Sequence, residues 1–494
     1  MSLNFKILLK ASALRVFAFM LLILTFSCKS NQNSSPFDSA QGSDSSSSFD
    51  SAQGSKIEKP NILILHVDDL GYHDLSVHGS KIYQTPNIDK LAGESVRFTN
   101  AYANYPRCVP SRYAMMTGGY PVQNGDVPDD GFEIDNIPDN KNFIKAIDGA
   151  GYQTAYFGKW HLGEDPKELG FDTSVAAGHA GSPISFLYPF NEKKGKGKSK
   201  KAPIKDLDEI SKDGDYLTDV LTDQVAQYIK NRDKNAPFMA MLAFYNVHQP
   251  FEAKEEDIKR NRKEIRAFDF GDTPEYIKEG TGRTKMRQDN ATYAAMVENT
   301  DENVGKLLAL LEAEGILDNT LIIFSSDHGG LSNDGTKQRN LATTNYPLRA
   351  GKGHLYDGGI KIPFFVKWQD KLQPRDESSL VMLMDVLPTL TNLTTGKNLE
   401  TEGQNMLPVL NDTEEWDDRT VFWHSSKARP TNTGDTKSSA VREGDFKLIH
   451  WYKENRFELY NIAQDPGEQN DLSKAMPERV RTLSRKLNNW KSTF

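Results

Sequence analysis

One unbroken apolar run, Asn61-Ile-Leu-Ile-Leu-His-Val67, constrains this chain more than any other feature. A strand that is apolar at nearly every position, not at every second one, must be covered on both faces. That calls for a sheet with helices on each side. Asn142–Ala150 has helical spacing, stops at Gly149 and Gly151, and leads into a short strand, Gln153–Phe157. Pro237–Phe244 reads as a second buried strand. Tyr293–Glu314 carries apolar residues at helical spacing, stops at Gly315 and leads into strand Thr320–Ser326; Ile362–Trp368 is a further strand. Strands alternating with helices predict an α/β fold, a large mostly parallel or mixed sheet sandwiched by helices. Ligands on such sheets sit beyond the carboxyl ends of the strands.

The pattern changes after about residue 412. Arg419–His424, Ala440–Arg442, Phe446–Trp451 and Phe457–Asn461 are short strand-like runs split by turns, and Pro477–Trp490 reads as a final helix. The expected organisation is a main domain over 59–412 and a small α+β subdomain, an antiparallel sheet with a helix on it, over 413–494. Residues 29–58 are Ser-, Asp-, Gln- and Gly-rich, with the heptapeptide Phe-Asp-Ser-Ala-Gln-Gly-Ser at Phe37–Ser43 and again at Phe49–Ser55. Two copies too small to hold a core read as a duplicated, disordered linker. Lys6, Lys10 and Arg15 precede the apolar run Val16–Phe26, which is too short to span a bilayer comfortably. The run ends at Thr25-Phe26-Ser27-Cys28 and resembles the lipobox of a bacterial lipoprotein signal, with Thr25 where Leu is usual. Residues 1–28 are therefore read as a lipoprotein-type signal peptide, with Cys28 lipidated; ordinary secretion with Cys28 discarded is the alternative. Either route exports the chain, to the periplasm or to the outer-membrane or cell surface, and a lipid anchor would be its only membrane contact.

With 60 basic against 68 acidic residues the formal charge is −8, which argues against general nucleic-acid binding. The lysine- and glycine-rich stretch Lys193–Lys201 reads as an exposed loop, either a solvated charge run or a grip on an anionic substrate. Cys28 and Cys108 are the only cysteines, so lipidation of the first leaves Cys108 as the sole thiol of an exported protein.

Four segments pass the strand-end test. Asp68 and Asp69 directly follow strand 61–67, and Asp327 and His328 directly follow strand 320–326. Lys159 and His161 come just after strand 153–157, and His248 just beyond strand 237–244. Three converging carboxylates would repel one another without a cation, and their oxygens suit a hard divalent ion. His328 fits that ion less well, because imidazole suits zinc or manganese better. The Asp-Asp-Leu-Gly segment taken alone also fits a helix cap. Cys108-Val-Pro-Ser-Arg112 has the Pro and Ser of a helix start, which sets Cys108 among unpaired N–H groups that favour negative charge. On these residues alone Cys108 reads as a thiolate nucleophile, although a hard cation argues for an oxygen nucleophile.

Cys-x-Pro-Ser-Arg, continued by Met-Thr-Gly-Gly-Tyr-Pro121, resembles the signature at which type I sulfatases of the alkaline phosphatase superfamily convert cysteine to formylglycine. From Pro60 to Phe494 the chain is similar to that family, of a bacterial polysaccharide-sulfatase kind. The resemblance implies formylglycine at Cys108 and one calcium ion held by Asp68, Asp69, Asp327 and His328 together with residue 108. It implies that Arg112 steadies the formylglycine hydrate. Lys159 and His161 match the family's Gly158-Lys-Trp-His-Leu-Gly163 segment, which flanks the nucleophile. His248, in Asn-Val-His-Gln-Pro250, matches a sulfate-side histidine, and Lys352, in Gly351-Lys-Gly-His-Leu-Tyr-Asp-Gly-Gly359, a second sulfate-binding lysine. Lys159, His248 and Lys352 would thus bind substrate as well as take part in catalysis.

The implied reaction is hydrolysis of sulfate esters, of sulfated polysaccharides or oligosaccharides such as ulvan, algal galactans or glycosaminoglycans. The partners implied are that sulfated carbohydrate and a formylglycine-generating maturation enzyme. Two other readings compete with it: a phosphate or phosphonate ester hydrolase of the same superfamily, and an inactive surface carbohydrate-binding lipoprotein.

Overall fold

Strand Asn61–Val67 is buried along its whole length and lies between two parallel neighbours, Phe238–Ala243 and Thr320–Ser326. Leu63 sits opposite Ala240 on one side and Ile322 on the other. Because side chains alternate across a strand, Ile62 and Ile64 enter one core, with Ile144, Met115 and Leu387. Leu63, Leu65 and Val67 enter the opposite core, with Leu221, Val297 and Leu307. Both faces are filled by helices, so the uninterrupted apolar run has a physical cause. The computed structural model describes residues 59–124, 142–163, 165–192, 201–414, 416 and 419–494. The signal peptide, the whole linker and residues 193–200 lie outside these residues.

The central sheet has eight strands, in the order Arg375–Glu377, Val96–Phe98, Phe364–Lys367, Thr320–Ser326, Asn61–Val67, Phe238–Ala243, Gln153–Gly158 and Thr173–Val175. Every pairing is parallel except those of Phe364–Lys367, which runs against both neighbours. The mostly parallel α/β architecture is as the sequence predicts. The predicted helices appear as Phe143–Gly149 and Ala291–Ala313. Both begin at an asparagine, Asn142 or Asn290, whose side-chain oxygen accepts from two otherwise unpaired backbone N–H groups. Three short strands, 96–98, 173–175 and 375–377, were not anticipated. Three residues are too few to show a period.

At the C-terminal end, Thr420–Ser425, Ser438–Glu443, Phe446–Trp451 and Arg456–Asn461 form an antiparallel sheet in chain order. Helix Pro477–Lys491 covers it, packing Leu483 and Leu487 on Val441, Leu448 and Leu459. Buried polar ties join this sheet to the loops around the main sheet. Lys447 Nζ lies 2.7 Å from Asp357 and 2.9 Å from Glu468, and Tyr102 donates to Asp357 at 2.8 Å. The connection between Ser425 and Ser438 supplies Asp435, which receives Arg107 at 2.6 Å. Each of these charges is buried, and each is paired, as burial requires.

Candidate active site

The parallel register brings several strand ends to one level. Val67 pairs with Ser326 and Gly158 with Ala243. Backbone bonds then extend the pattern one step: Asp327 N to Val67 O at 3.1 Å, Asp68 N to Asn246 O at 2.9 Å and Lys159 N to Ala243 O at 2.8 Å. Asp68, Asp327 and Lys159 therefore leave the same edge of the sheet at one level. Asp69 turns with φ of 60°, a left-handed conformation that aspartate tolerates better than most residues. Its N–H donates to Asp327 Oδ1 at 3.1 Å.

Helix Cys108–Thr117 points its first turn at this cluster. Cys108, Ser111 and Arg112 share one helix face by their spacing, and all three are buried. Ser111 Oγ donates to the Asp327 carbonyl at 2.6 Å, Arg112 Nε to Asp327 Oδ2 at 3.1 Å and Arg112 Nη1 to the Lys159 carbonyl at 2.9 Å. This locks the helix against two strand ends. Cys108 Sγ then lies 3.3 Å from His328 Nε2, 3.4 Å from Lys352 Nζ, 3.6 Å from Asp68 Oδ1 and 4.0 Å from Asp69 Oδ1. Lys159 Nζ reaches Asp68 Oδ2, and Lys352 Nζ reaches Asp69 Oδ1, each at 2.5 Å.

Ligand atoms of Asp68, Asp69, Cys108 and His328 all lie within 4.8 Å of one another, a grouping able to hold a metal ion. Asp327 stands beside this group: its Oδ1 is 3.5 Å from His328 Nε2, while Oδ2 takes the Arg112 guanidinium. His328 Nδ1 lies 2.9 Å from the Gly329 carbonyl, which can only accept, so Nδ1 carries a proton. In the neutral ring, Nε2 then turns its lone pair towards Asp69 Oδ1, 3.2 Å away. Acceptor faces acceptor, an arrangement that calls for a cation or a proton between them. His248 is built alike, with Nδ1 2.7 Å from the Gln249 carbonyl and Nε2 3.7 Å from Asp69 Oδ2.

Charge shapes the site. Burial raises the Asp68 carboxyl well above its usual range, and the nearby Cys108, Asp327 and Asp69 add to this against the pull of Lys159. Burial also pushes Asp69 and Asp327 up, but it is outweighed in Asp69 by Lys352, His248 and His328, and in Asp327 by His328 and Arg112. The Cys108 thiol is pushed up by burial, yet Lys159, Lys352 and His328 hold it well below the ordinary thiol range. Burial lowers His248 and His161. Arg112 Nη2 is buried with no hydrogen-bond partner.

His161 also has φ of 60°, its N–H donating to the Gly178 carbonyl at 2.9 Å, and its Nδ1 is buried without a partner. Its ring lies flat against Gly181: a Cβ there would fall 2.4 Å from Cε1 and 2.5 Å from Nε2. Every residue singled out from sequence within the described region, from Asp68 to Lys352, is thus brought to this one pocket. Gly181 and Ser111 were not given roles, and neither was Asp435, which orders Arg107 just before Cys108. Ser111 stood in the quoted pentapeptide, and its helical offset from Cys108 was the available signal. Gly181 and Asp435 had none. Lys201, the one described residue of the lysine-rich stretch, donates to Ser182 Oγ at 2.7 Å and to the Pro183 carbonyl at 3.0 Å.

The chain as a whole is similar to known proteins. The Sulfatase family model matches residues 60–396, and the model for the C-terminal region of N-sulphoglucosamine sulphohydrolase matches 350–493. A Formosa agariphila protein named sulfatase is 29% identical, covering 87% of this chain and 88% of its own. An N-acetylgalactosamine-6-O-sulfatase of Bacteroides thetaiotaomicron is 26% identical, covering 88% of this chain and 94% of its own. Among solved structures, Ps i-CgsB in complex with k-i-k-neocarrahexaose shares 28% identity and a TM-score of 0.69, covering 88% of this chain and 93% of that one. With the family match spanning most of the sequence, the chain belongs to the sulfatase family of the alkaline phosphatase superfamily and is a sulfuric ester hydrolase.

Proposed function

We propose that this sulfatase cleaves sulfate esters on polysaccharides or their oligomers, of galactan, ulvan or glycosaminoglycan type, using formylglycine made from Cys108 and one calcium ion. The observation that carries this reading is the setting of Cys108, at a helix N-terminus among three carboxylates and two lysines. The residues present fit both groups. Carboxylates and imidazole lone pairs that face one another need a cation, and oxygen donors predominate, as calcium prefers. Arg112 Nη2 lies 3.8 Å from Asp68 Oδ1 and makes no hydrogen bond, so it is a donor open to an oxygen at position 108, where a thiol would satisfy it only weakly. Asp68, Asp69, Asp327, His328 and residue 108 would hold the metal.

The hydrated aldehyde supplies an oxygen nucleophile, and the metal lowers its pKa and polarises the ester. Around that centre the chain's own groups divide the remaining work. Arg112 orients the oxygen at position 108. Lys159 and Lys352 offset charge on the sulfuryl oxygens. His248, or Lys352, donates a proton to the departing alcohol, and His161 accepts one from residue 108. The sugar reading is supported by the relative named as an N-acetylgalactosamine-6-O-sulfatase and by the neocarrahexaose bound to the structural neighbour. We further propose export with lipidation at Cys28, and maturation by a formylglycine-generating enzyme. The test is mass spectrometry of active protein, in which the Cys108 peptide should be about 18 Da lighter than the thiol form. Fully active protein with an unmodified thiol refutes the reading.

A further inference from the structure

One end of the C-terminal sheet carries a group of rings and cations that has no part in the chemistry above. The register sets His424, Ser439, His450 and Phe457 opposite one another across all four strands. Tyr452, just past strand Phe446–Trp451, lies against this row. Its hydroxyl is 2.8 Å from Ser439 Oγ, which is itself 2.6 Å from His424 Nδ1. The Tyr452 ring stands 4.6 Å from His450, centroid to centroid, and 6.0 Å from His424. His450 in turn stacks on Phe457 at 4.3 Å. Phe494, 45% exposed, closes the edge beside His424 at 5.7 Å. His424, His450 and Tyr452 are half-buried, so each is fixed by its neighbours while still offering part of its ring to solvent.

Two lysines meet over Tyr452. Lys491 Nζ is 4.7 Å from the ring centroid and Lys437 Nζ is 5.4 Å from it. Among the described residues neither ammonium group makes an ion pair with a carboxylate. Lys491 ends helix Pro477–Lys491, and the helix dipole accounts for a cation there. It does not account for a second cation brought to the same ring from the connection between Ser425 and Ser438. The place matters too. Lys437 is two residues beyond Asp435, which receives Arg107 beside Cys108. Two residues of chain span at most about 7 Å, so the platform begins close to the clasp that borders the catalytic pocket.

We propose that these rings, with Lys437 and Lys491, form a second saccharide-binding surface, separate from the catalytic pocket, that grips a sulfated polysaccharide. The occupant follows from complementarity. Aromatic faces attract the polarised C–H bonds of a sugar ring as they attract cations, and the two ammonium groups meet sulfates along the chain. The proposal rests on the sulfated-carbohydrate reading of the substrate and adds that polymer is held outside the pocket.

The experiment titrates full-length protein and its K437Q/K491Q, Y452A and F494A variants calorimetrically with dextran sulfate, dextran and polyglutamate. Wild type should bind dextran sulfate more tightly than either control. K437Q/K491Q should weaken dextran sulfate binding about tenfold, and Y452A by about fivefold. The kcat and KM on 4-nitrophenyl sulfate should stay unchanged in all three variants, since this small ester reaches only the pocket. Melting temperatures check that Y452A folds, and F494A, at an exposed ring, should show a smaller loss in the same direction. Unchanged affinity for dextran sulfate in every variant overturns the proposal. Equal affinity of wild type for polyglutamate also overturns it, because charge alone would then suffice. So does a loss seen only toward phosphatidylglycerol vesicles, which would make this face a membrane contact. The two readings separate cleanly. A chain that fails to hydrolyse 4-nitrophenyl sulfate but loses dextran sulfate affinity in the variants sinks the catalytic reading and leaves the surface standing.

Discussion

Replacing Gly181 by alanine tests how His161 is held. Gly181 does not use a left-handed φ, so alanine is tolerated by the backbone, and the perturbation is the methyl group alone. That methyl would stand 2.4 Å from Cε1, 2.5 Å from Nε2 and 3.0 Å from Nδ1 of His161, about 1 Å inside ordinary contact distance. The His161 backbone is pinned by its bond to Gly178, so the ring itself must give way. Overpacking of this kind costs about 1–3 kcal/mol of stability. A displacement near 1 Å at a proton-transfer group costs on the order of 10² in rate, within the 10²–10⁴ that such a group contributes. The assay is kcat and KM on 4-nitrophenyl sulfate for G181A, H161A and the double variant, with the melting temperature of each. G181A should lose rate mainly in kcat, and the double variant should match H161A alone, because both changes remove one function. Wild-type kcat in G181A, or losses that multiply in the double variant, would refute the reasoning.

Three further outcomes are expected. Strong chelation should abolish activity and lower the melting temperature, and calcium at a hundred times its dissociation constant should restore about 2.7 kcal/mol of stability; calorimetry with and without chelator checks this. Arg112→Ala should destabilise the protein by about 3–5 kcal/mol in denaturant titration, because it strips the guanidinium from Asp327 and leaves buried charge uncompensated. Asp74 is a pH probe: burial raises its carboxyl to about 6, despite hydrogen bonds from Thr343, Tyr293 and the Gly71 N–H. Its folded pKa exceeds its unfolded value, so the stability it contributes is fully present below pH 3.8 and is lost as pH rises through about 6. Between those limits the stability of the parent protein relative to D74N should fall by up to about 3 kcal/mol, which paired thermal melts across pH 4–7 would read.

Much of the fold was legible because its central strands are apolar on both faces. Strand 320–326 has the predicted bounds, and strand 61–67 is buried throughout as expected. The site was legible for a related reason. In a parallel sheet the residues just past each strand share one edge, so Asp68, Lys159 and Asp327 could be grouped without knowing the strand order. The antiparallel direction of Phe364–Lys367 was not readable, since a strand of four residues carries no mark of the direction in which it pairs. Nor could spacing pair Arg107 with Asp435 or press Gly181 against His161, because those contacts are made between loops whose paths only the finished packing decides.

The clasp between Arg107 and Asp435 has an evolutionary side. The connection that carries Asp435 joins two strands of the C-terminal sheet, a kind of segment that usually tolerates insertions and deletions. Here any change of its length would be transmitted through a buried ion pair to the residue preceding Cys108. Diversification of that loop would then be confined to its outer turn, away from Asp435, and enzymes with new specificities would have to rebuild the anchor before they could lengthen the loop.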